Sequence, residues 1–329
     1  IYVKEPGAMV HKRGSRLVVE KDDKTLAEIP LRETDLVALF GNVQVTTQAL
    51  SELLDRGIPV GLYTRNGRLK GRVAPEASGA VRIRLAQFAA ATNSAETLRM
   101  ARPFVCAKLA NSAALVEEHR VNYPSDSLLA ARETLKHEAE SAFLATGLEE
   151  LMGHEGAGAA AHFRAFAEMN RSAFPFPGRH KHPPPDPVNA LLSLGYTMVM
   201  NELRGLAEGF GLDPYLGFLH APEDNRPSLA LDLLEPFRPS LVDRLALRLV
   251  NQRILTEDDF MRRVGGPAAG SVILKPETWG KYLETYEDAM QTPRRSAPRG
   301  MRAEMQAQVS RLVAALRDGK EFIPFLENT

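Results

Sequence analysis

GRLKGRVAPEASGAVRIRLAQFAA, residues 67–90, holds the turning point of this chain. Upstream of it, apolar residues alternate or form short runs between turn signals. Downstream they recur at every third and fourth position. A period of two lines one face of a strand, and a period near 3.6 lines one stripe of a helix. The turn-rich PEASG at 75–79 marks the switch. The expected fold class is therefore α+β: an N-terminal β-rich, sandwich-like domain (1–78) followed by a larger all-α domain (79–329). A length of 329 residues suits two cores better than one.

Working upstream, Arg68–Val73 and Ile58–Tyr63 flank Asn66-Gly67, a strong hairpin signal. Leu36–Phe40 and Gln44–Val45 surround Gly41-Asn42. Ala8–Lys12, Arg16–Glu20 and Thr25–Ile29 read as further strands. One helix interrupts them, capped by Thr46 and ended by Gly57. Working downstream, Arg82–Ala91, Glu96–Arg120, Ser127–Thr146 and Gly158–Met169 read as helices. Gly147 is the expected stop of the third, and Pro103 is expected to break the second near its start. RSAFPFPGRHKHPPPDP (171–187) has too few backbone donors for helix or strand, which predicts a flexible loop over 171–186. Asp186 and Pro187 then open a helix with an apolar face from Val188 to Leu206. Leu241, Leu245 and Leu249 form another stripe, Thr256 is expected to start a helix, and 291–302 reads as a mobile basic tail.

Composition narrows function mainly by exclusion. Net charge is zero, so a nucleic-acid surface must come from local clusters: RNGRLKGR (65–72), RHKH (179–182) or RRSAPRGMR (294–302). The single cysteine, Cys106, excludes an internal disulfide and any multi-cysteine zinc or iron–sulfur site, and suits a buried thiol in a cytoplasmic protein. No apolar run approaches the ~18 residues of a membrane span. The start is polar and strand-like rather than a signal peptide, and its lack of an initiator methionine points to a trimmed chain or the downstream part of a longer one.

Three segments concentrate the side chains that a metal needs: MGHEGAGAAAHF (152–163), DPYLGFLHAPEDNRPS (213–228) and LALDLLEPFRPSLVDR (229–244). Asp232 and Glu235 share a helical face if their segment is helical. Taken alone, such a pair is most simply solvated. His220 ends an apolar run, where a hydrogen-bonded structural histidine is the ordinary case. Glu155 lies between Gly153 and Gly156, whose small size admits a ligand or a closely packed helix. Together, one imidazole and two or three carboxylates form an oxygen-rich set. That suits Mn²⁺ or Mg²⁺ better than zinc, copper or iron. Such ions activate oxygen nucleophiles and neutralise phosphoryl oxygens.

GHEG (153–156), GYTMVMNE (195–202), GLDPYLGFLH (211–220) and LDLLEPFRP (231–239) together resemble the CRISPR-associated integrase of spacer acquisition, the CRISPR-associated protein one family. The resemblance spans nearly the whole chain. It implies a homodimeric, metal-dependent DNA endonuclease and integrase, working with a dimer of a small ferredoxin-like partner. The 3′-hydroxyls of a captured double-stranded spacer would attack a CRISPR repeat by transesterification. By position, the resemblance makes Glu155, His220 and Glu235 the metal ligands and Asp232 a supporting member of the catalytic set. Two positions depart from the family pattern: Met200 stands where many relatives carry tyrosine, and His162 where an aromatic residue is frequent. The resemblance also gives the basic clusters a role. Arg65, Arg68, Lys70 and Arg72 on a hairpin, and Arg179 and Lys181 in a flap with Arg171, His180 and His182, become candidate DNA contacts. A second metal site at His180 and His182 lacks further ligands nearby. Some relatives are fused behind a RecB-like iron–sulfur nuclease, and the missing methionine fits the integrase half of such a fusion. Two alternatives stand beside this reading: a metal-dependent nuclease of branched or single-stranded nucleic acid that does not integrate, and a non-catalytic DNA-binding scaffold.

Overall fold

A computed structural model describes the chain except Asn66, Arg68, 75–79, Lys181, His182, Gly266, Pro267, Asn328 and Thr329. The hairpin's Asn66, the PEASG switch and two of the proposed DNA contacts, Arg68 and Lys181, therefore lie outside the described residues. Two compact units emerge, Ile1–Ser78 and Gly79–Thr329.

In the first unit, turn residues separate the strands β1 (Tyr2–Val3), β2 (Met9–Arg13), β3 (Arg16–Lys21), β4 (Lys24–Pro30), β5 (Val37–Phe40), β6 (Gln44–Val45), β7 (Val60–Tyr63) and β8 (Leu69–Val73). They form two four-stranded sheets, ordered β1-β5-β7-β8 and β4-β3-β2-β6. Helix α1 (Thr47–Asp55) starts where Thr46 accepts a hydrogen bond from the Ala49 amide at 3.3 Å. Val10, Leu17, Val19, Val37, Leu39, Val60 and the helical Leu53 bury into one core. All four residues of β5 are buried, as expected for a central strand with parallel neighbours on both sides.

In the second unit, the helices are α2 (Val81–Ala91), α3 (Ser94–Asn122), α4 (Asp126–Leu144), α5 (Leu148–Met169), α6 (Pro187–Gly209), α7 (Ser228–Leu234), α8 (Arg244–Asn251), α9 (Trp279–Gln291) and α10 (Met301–Asp318). Several differ from expectation for physical reasons. α3 runs unbroken through Pro103, because Met100, Ala101, Phe104 and Val105 are fully buried around it. Tertiary burial outweighs the one hydrogen bond that proline cannot make. Gly147 stops nothing: it is the N-cap of α5. That helix therefore starts ten residues earlier than its apolar pattern suggests and carries Glu155 within it. Thr256 caps only a three-residue 3₁₀ turn, and the chain then forms a hairpin, β9 (Phe260–Arg262) against β10 (Val272–Leu274). The unit is thus mostly helical rather than all-α.

Nor is 291–302 a free tail. Ala297 and Met301 are fully buried. Arg294 donates to the Ser240 carbonyl at 3.0 Å, and Arg302 forks between Glu202 (2.9 Å) and Glu287 (2.8 Å). The proline-rich segment is likewise pinned, by Phe174 against Phe260 and Phe176 against Phe166. No helix among the described residues is long and apolar enough to cross a membrane.

The approach of α5 to α3 depends on one glycine. A Cβ on Gly153 or Gly156 would meet nothing, but one on Gly158 would lie 2.1 Å from Leu109 Cδ2 on α3. Gly158, not the glycines beside Glu155, lets α5 close on α3. Gly158→Leu should cost about 1–3 kcal/mol of stability by overpacking, read as a lower urea midpoint. An unchanged midpoint would show that the helices do not need this contact.

Candidate metal centre

Helix α7 ends at Leu234, and its only carboxylate before the end is Asp232, fully buried. Asp232 Oδ2 accepts the amides of Phe218 (2.6 Å) and Leu219 (3.0 Å). Oδ1 accepts the His220 amide (3.0 Å) and His220 Nδ1 (2.7 Å). Four donors replace the water that burial removes. The loop can wrap this closely because residue 217 is glycine. A Cβ there would lie 2.8 Å from both Asp232 Oδ2 and the Ser228 carbonyl carbon. Asp232 is therefore fully engaged by protein donors. Its bond to Nδ1 turns the other imidazole nitrogen, Nε2, toward Glu235 Oε1, 3.8 Å away.

Glu235 follows α7 directly and is 2% exposed. The backbone then passes through Pro236 into a π-helical turn, Arg238–Asp243, an irregularity often found at functional sites. This turn brings Arg238 Nε within 3.0 Å of Glu235 Oε1. Lys108, from α3, reaches between Glu155 on α5 and Glu235, pairing with Glu155 Oε1 and lying 2.6 Å from Glu235 Oε2. Although that ammonium is close, Glu235 Oε2 is buried without a hydrogen bond of good geometry. Burial opposes ionisation of Glu235, but Arg238, Lys108 and His220 outweigh it and hold the carboxyl at about 2, against an ordinary 4.5. Burial likewise opposes charge on Lys108, yet Glu235 and Glu155 raise it above the ordinary lysine value.

The structure thus brings together Glu155, His220 and Glu235, with Asp232 behind His220. Among the described residues no three His, Cys, Asp or Glu side chains already close on a common point. Asp232 faces the backbone, and Lys108 supplies the cation between the glutamates. The donor set nonetheless fits a hard divalent ion: two carboxylates, one with an oxygen lacking a hydrogen bond, and an oriented imidazole nitrogen.

Reading the sequence missed Lys108 and Arg238. The available signal was a lysine three residues before Asn111 on an otherwise apolar face of α3. A further buried set adjoins Arg238. Tyr196 donates to Asp243 Oδ1, whose Oδ2 pairs with His162 Nε2 at 2.8 Å. Burial and Asp243 push the Tyr196 phenol well above its usual range, so it remains a donor. His162, one of the two departures, is thus accommodated by a carboxylate. Met200 is half-buried on α6. The Tyr196 ring carries Arg238 at 4.5 Å and Arg179 at 5.4 Å. Arg179 also donates to Asn189 (2.9 Å) and Ser193 (3.1 Å), so it is bound inward rather than free on a flap. Arg171 lies over the Tyr123 ring at 3.6 Å. On the first unit, Arg65 and Lys70 are exposed and Arg72 is half-buried.

A family model described as CRISPR associated protein Cas1 matches residues 1–288. A CRISPR-associated endonuclease Cas1 of Rhodospirillum rubrum is 34% identical, covering 94% of this chain and 93% of its own. A CRISPR-associated exonuclease Cas4/endonuclease Cas1 fusion of Geobacter sulfurreducens is 38% identical over 81% of this chain, and this chain spans only 49% of the fusion's length. Among solved structures, a Cas1 protein from Thermotoga maritima superposes with a TM-score of 0.79 at 24% identity, covering 100% of this chain and 99% of that one. A casposase bound to integration product gives 0.78 at 22% identity, covering 98% and 91%. At these identities the structural matches establish the fold.

Two outcomes test the geometry. The stability that Glu235 contributes through its depressed pKa is complete above about pH 4.5 and is withdrawn as pH falls toward 2. Wild type should lose stability relative to Glu235→Gln across that window in urea titrations, and parallel curves would contradict the ion-pair account. Asp232→Asn should weaken Mn²⁺ binding about 10–100-fold without abolishing it, as expected for a group acting through a ligand. Complete loss on calorimetric titration would make Asp232 a ligand itself.

Proposed function

The chain belongs to the CRISPR-associated Cas1 family, and on that premise we propose that it is a metal-dependent DNA endonuclease and integrase, joining captured spacer DNA to a CRISPR repeat. The observation that carries this reading is that Lys108 joins Glu155 to Glu235 while His220 Nε2 and Arg238 both address Glu235. A bound Mn²⁺ or Mg²⁺ would supply Lewis acidity, lowering the pKa of a hydroxyl and neutralising phosphoryl oxygens.

The chain's own residues do the rest. Asp232 keeps His220 in one orientation. Arg238, held by Glu235 and stacked on Tyr196, presents a guanidinium suited to a phosphate oxygen. Charge supports the same conclusion. Leaving the imidazole aside, Glu155, Glu235 and Asp232 exceed Lys108 and Arg238 by one negative charge. A divalent cation reverses the sign, and one phosphodiester then balances it. Exchange of one phosphodiester for another leaves bond number unchanged and needs no nucleotide energy source.

In this reading the protein acts as a homodimer on double-stranded DNA with a small ferredoxin-like partner. The Cas4/Cas1 fusion relatives favour an associated nuclease that trims DNA. Arg65, Arg68, Lys70, Arg72, Arg179 and Lys181 remain the proposed DNA contacts, Arg179 from beside Tyr196 rather than from a mobile flap. A second reading, cleavage without joining, draws support from relatives named endonucleases.

Joining of a labelled duplex into a repeat-bearing plasmid, in Mn²⁺ and with the partner protein present, tests the proposal. A 3′-hydroxyl duplex should join and a 3′-blocked one should not. Glu155→Ala, His220→Ala and Glu235→Ala should each abolish joining while retaining most duplex binding. Cleavage without joining would favour the second reading, and unchanged joining by all three variants would overturn the metal site.

A further inference from the structure

Glu235 stands just past the end of a seven-residue helix, where the last carbonyls need partners from outside. Two buried side-chain amides supply them. Gln308 Nε2, from α10, donates to the Leu233 carbonyl at 2.8 Å. Asn111 Nδ2, one turn beyond Lys108 on α3, donates to the Pro236 carbonyl at 2.8 Å. The backbone on both sides of Glu235 is therefore gripped by groups that water does not reach.

The same amides grip the C-terminal segment. Gln308 Oε1 accepts the Phe325 amide at 2.9 Å, Asn111 Nδ2 also donates to the Phe325 carbonyl at 3.1 Å, and Asn111 Oδ1 accepts the Glu327 amide at 2.8 Å. Phe325 stacks on Phe237 with centroids 5.3 Å apart, and Phe322 packs on Phe104 at 4.8 Å. Glu327 lies 3.5 Å from Arg294 and 3.8 Å from Arg244, and bonds Ser296. Gln308 and the segment it holds both lie beyond the residues that the family model matches, 1–288.

We propose that residues 322–327 form a strap that positions the metal ligand Glu235, acting through the paired amides of Asn111 and Gln308. The proposal rests on the metal reading of the site. The strap touches no reacting group. It fixes the backbone that carries one, and ligand placement governs metal affinity. Without the strap, Asn111 and Gln308 each lose a buried partner and are free to turn away from the carbonyls beside Glu235.

The test is calorimetric Mn²⁺ titration of the full chain, well below each variant's melting midpoint. Phe325→Ala and Gln308→Leu should each weaken Mn²⁺ binding by about tenfold or more. The double variant should lose less than the product of the two single losses, because both changes act on the same strap. Leu135→Ala in α4 removes a buried side chain elsewhere, and should lower the melting midpoint with Kd unchanged. Where Phe325→Ala does not fold, Gln308→Leu and Asn111→Leu carry the measurement. Wild-type Kd in folded strap variants, or losses that multiply in the double variant, would overturn the inference and leave the metal site intact. Failure of the wild-type chain to bind Mn²⁺ would overturn the metal reading and this inference with it.

Discussion

The centre depends on one buried carboxylate whose lone pairs the protein itself fills. Asp232 accepts three consecutive backbone amides and an imidazole N–H. These bonds tie the loop before α7 to α7 itself, and they decide which nitrogen of His220 faces the glutamates. A buried carboxylate is costly unless its lone pairs are filled. The sequence around it follows that constraint: Gly217 leaves room for the wrap, and the apolar neighbours Phe218 and Leu219 are buried with it. Two further elements then deliver charge. α5, brought close to α3 at Gly158, contributes Glu155, and the π-helical turn returns Arg238 to Glu235.

Lys108 gives this arrangement its electrostatic logic. Two glutamates held close to one another, one of them buried, need a cation between them. Lys108 fills that need from a helix that also carries Asn111, so one face of α3 addresses both the side chain of Glu235 and the backbone beside it. Arg238 connects the pair to Tyr196, Asp243 and His162, a polar set in which each carboxylate oxygen has a partner.

Much of the fold was legible because its signals are local. Thr46 and Asp186 cap helices, alternation marks β2 and β3, and the change of period near residue 78 separates strands from helices. What failed depends on distant packing. Pro103 sits inside α3 because neighbours from elsewhere in the chain bury that turn. The basic residues at 294–302 looked solvated, but Arg294 and Arg302 meet carbonyl and carboxylate partners from other elements. At the site, residue types and the family resemblance pointed to Glu155, His220 and Glu235, and local spacing could not separate Asp232 from Glu235. In the folded loop Asp232 takes its hydrogen bonds from Phe218, Leu219 and His220, whereas Glu235 Oε2 has none of good geometry. Lys108 was invisible for the same reason, since its partners lie 47 residues away and further along the chain.

In the proposed mechanism, Glu155, His220 and Glu235 would share one divalent cation while Asp232 orients the imidazole. An anomalous-scattering map from crystals grown with Mn²⁺ tests this most directly. The expected result is a single strong peak bonded to His220 Nε2 and to carboxylate oxygens of Glu155 and Glu235, with Lys108 moved aside and Asp232 still on its backbone amides. A peak ligated by Asp232 in place of Glu235, or no peak at this cluster, would contradict it.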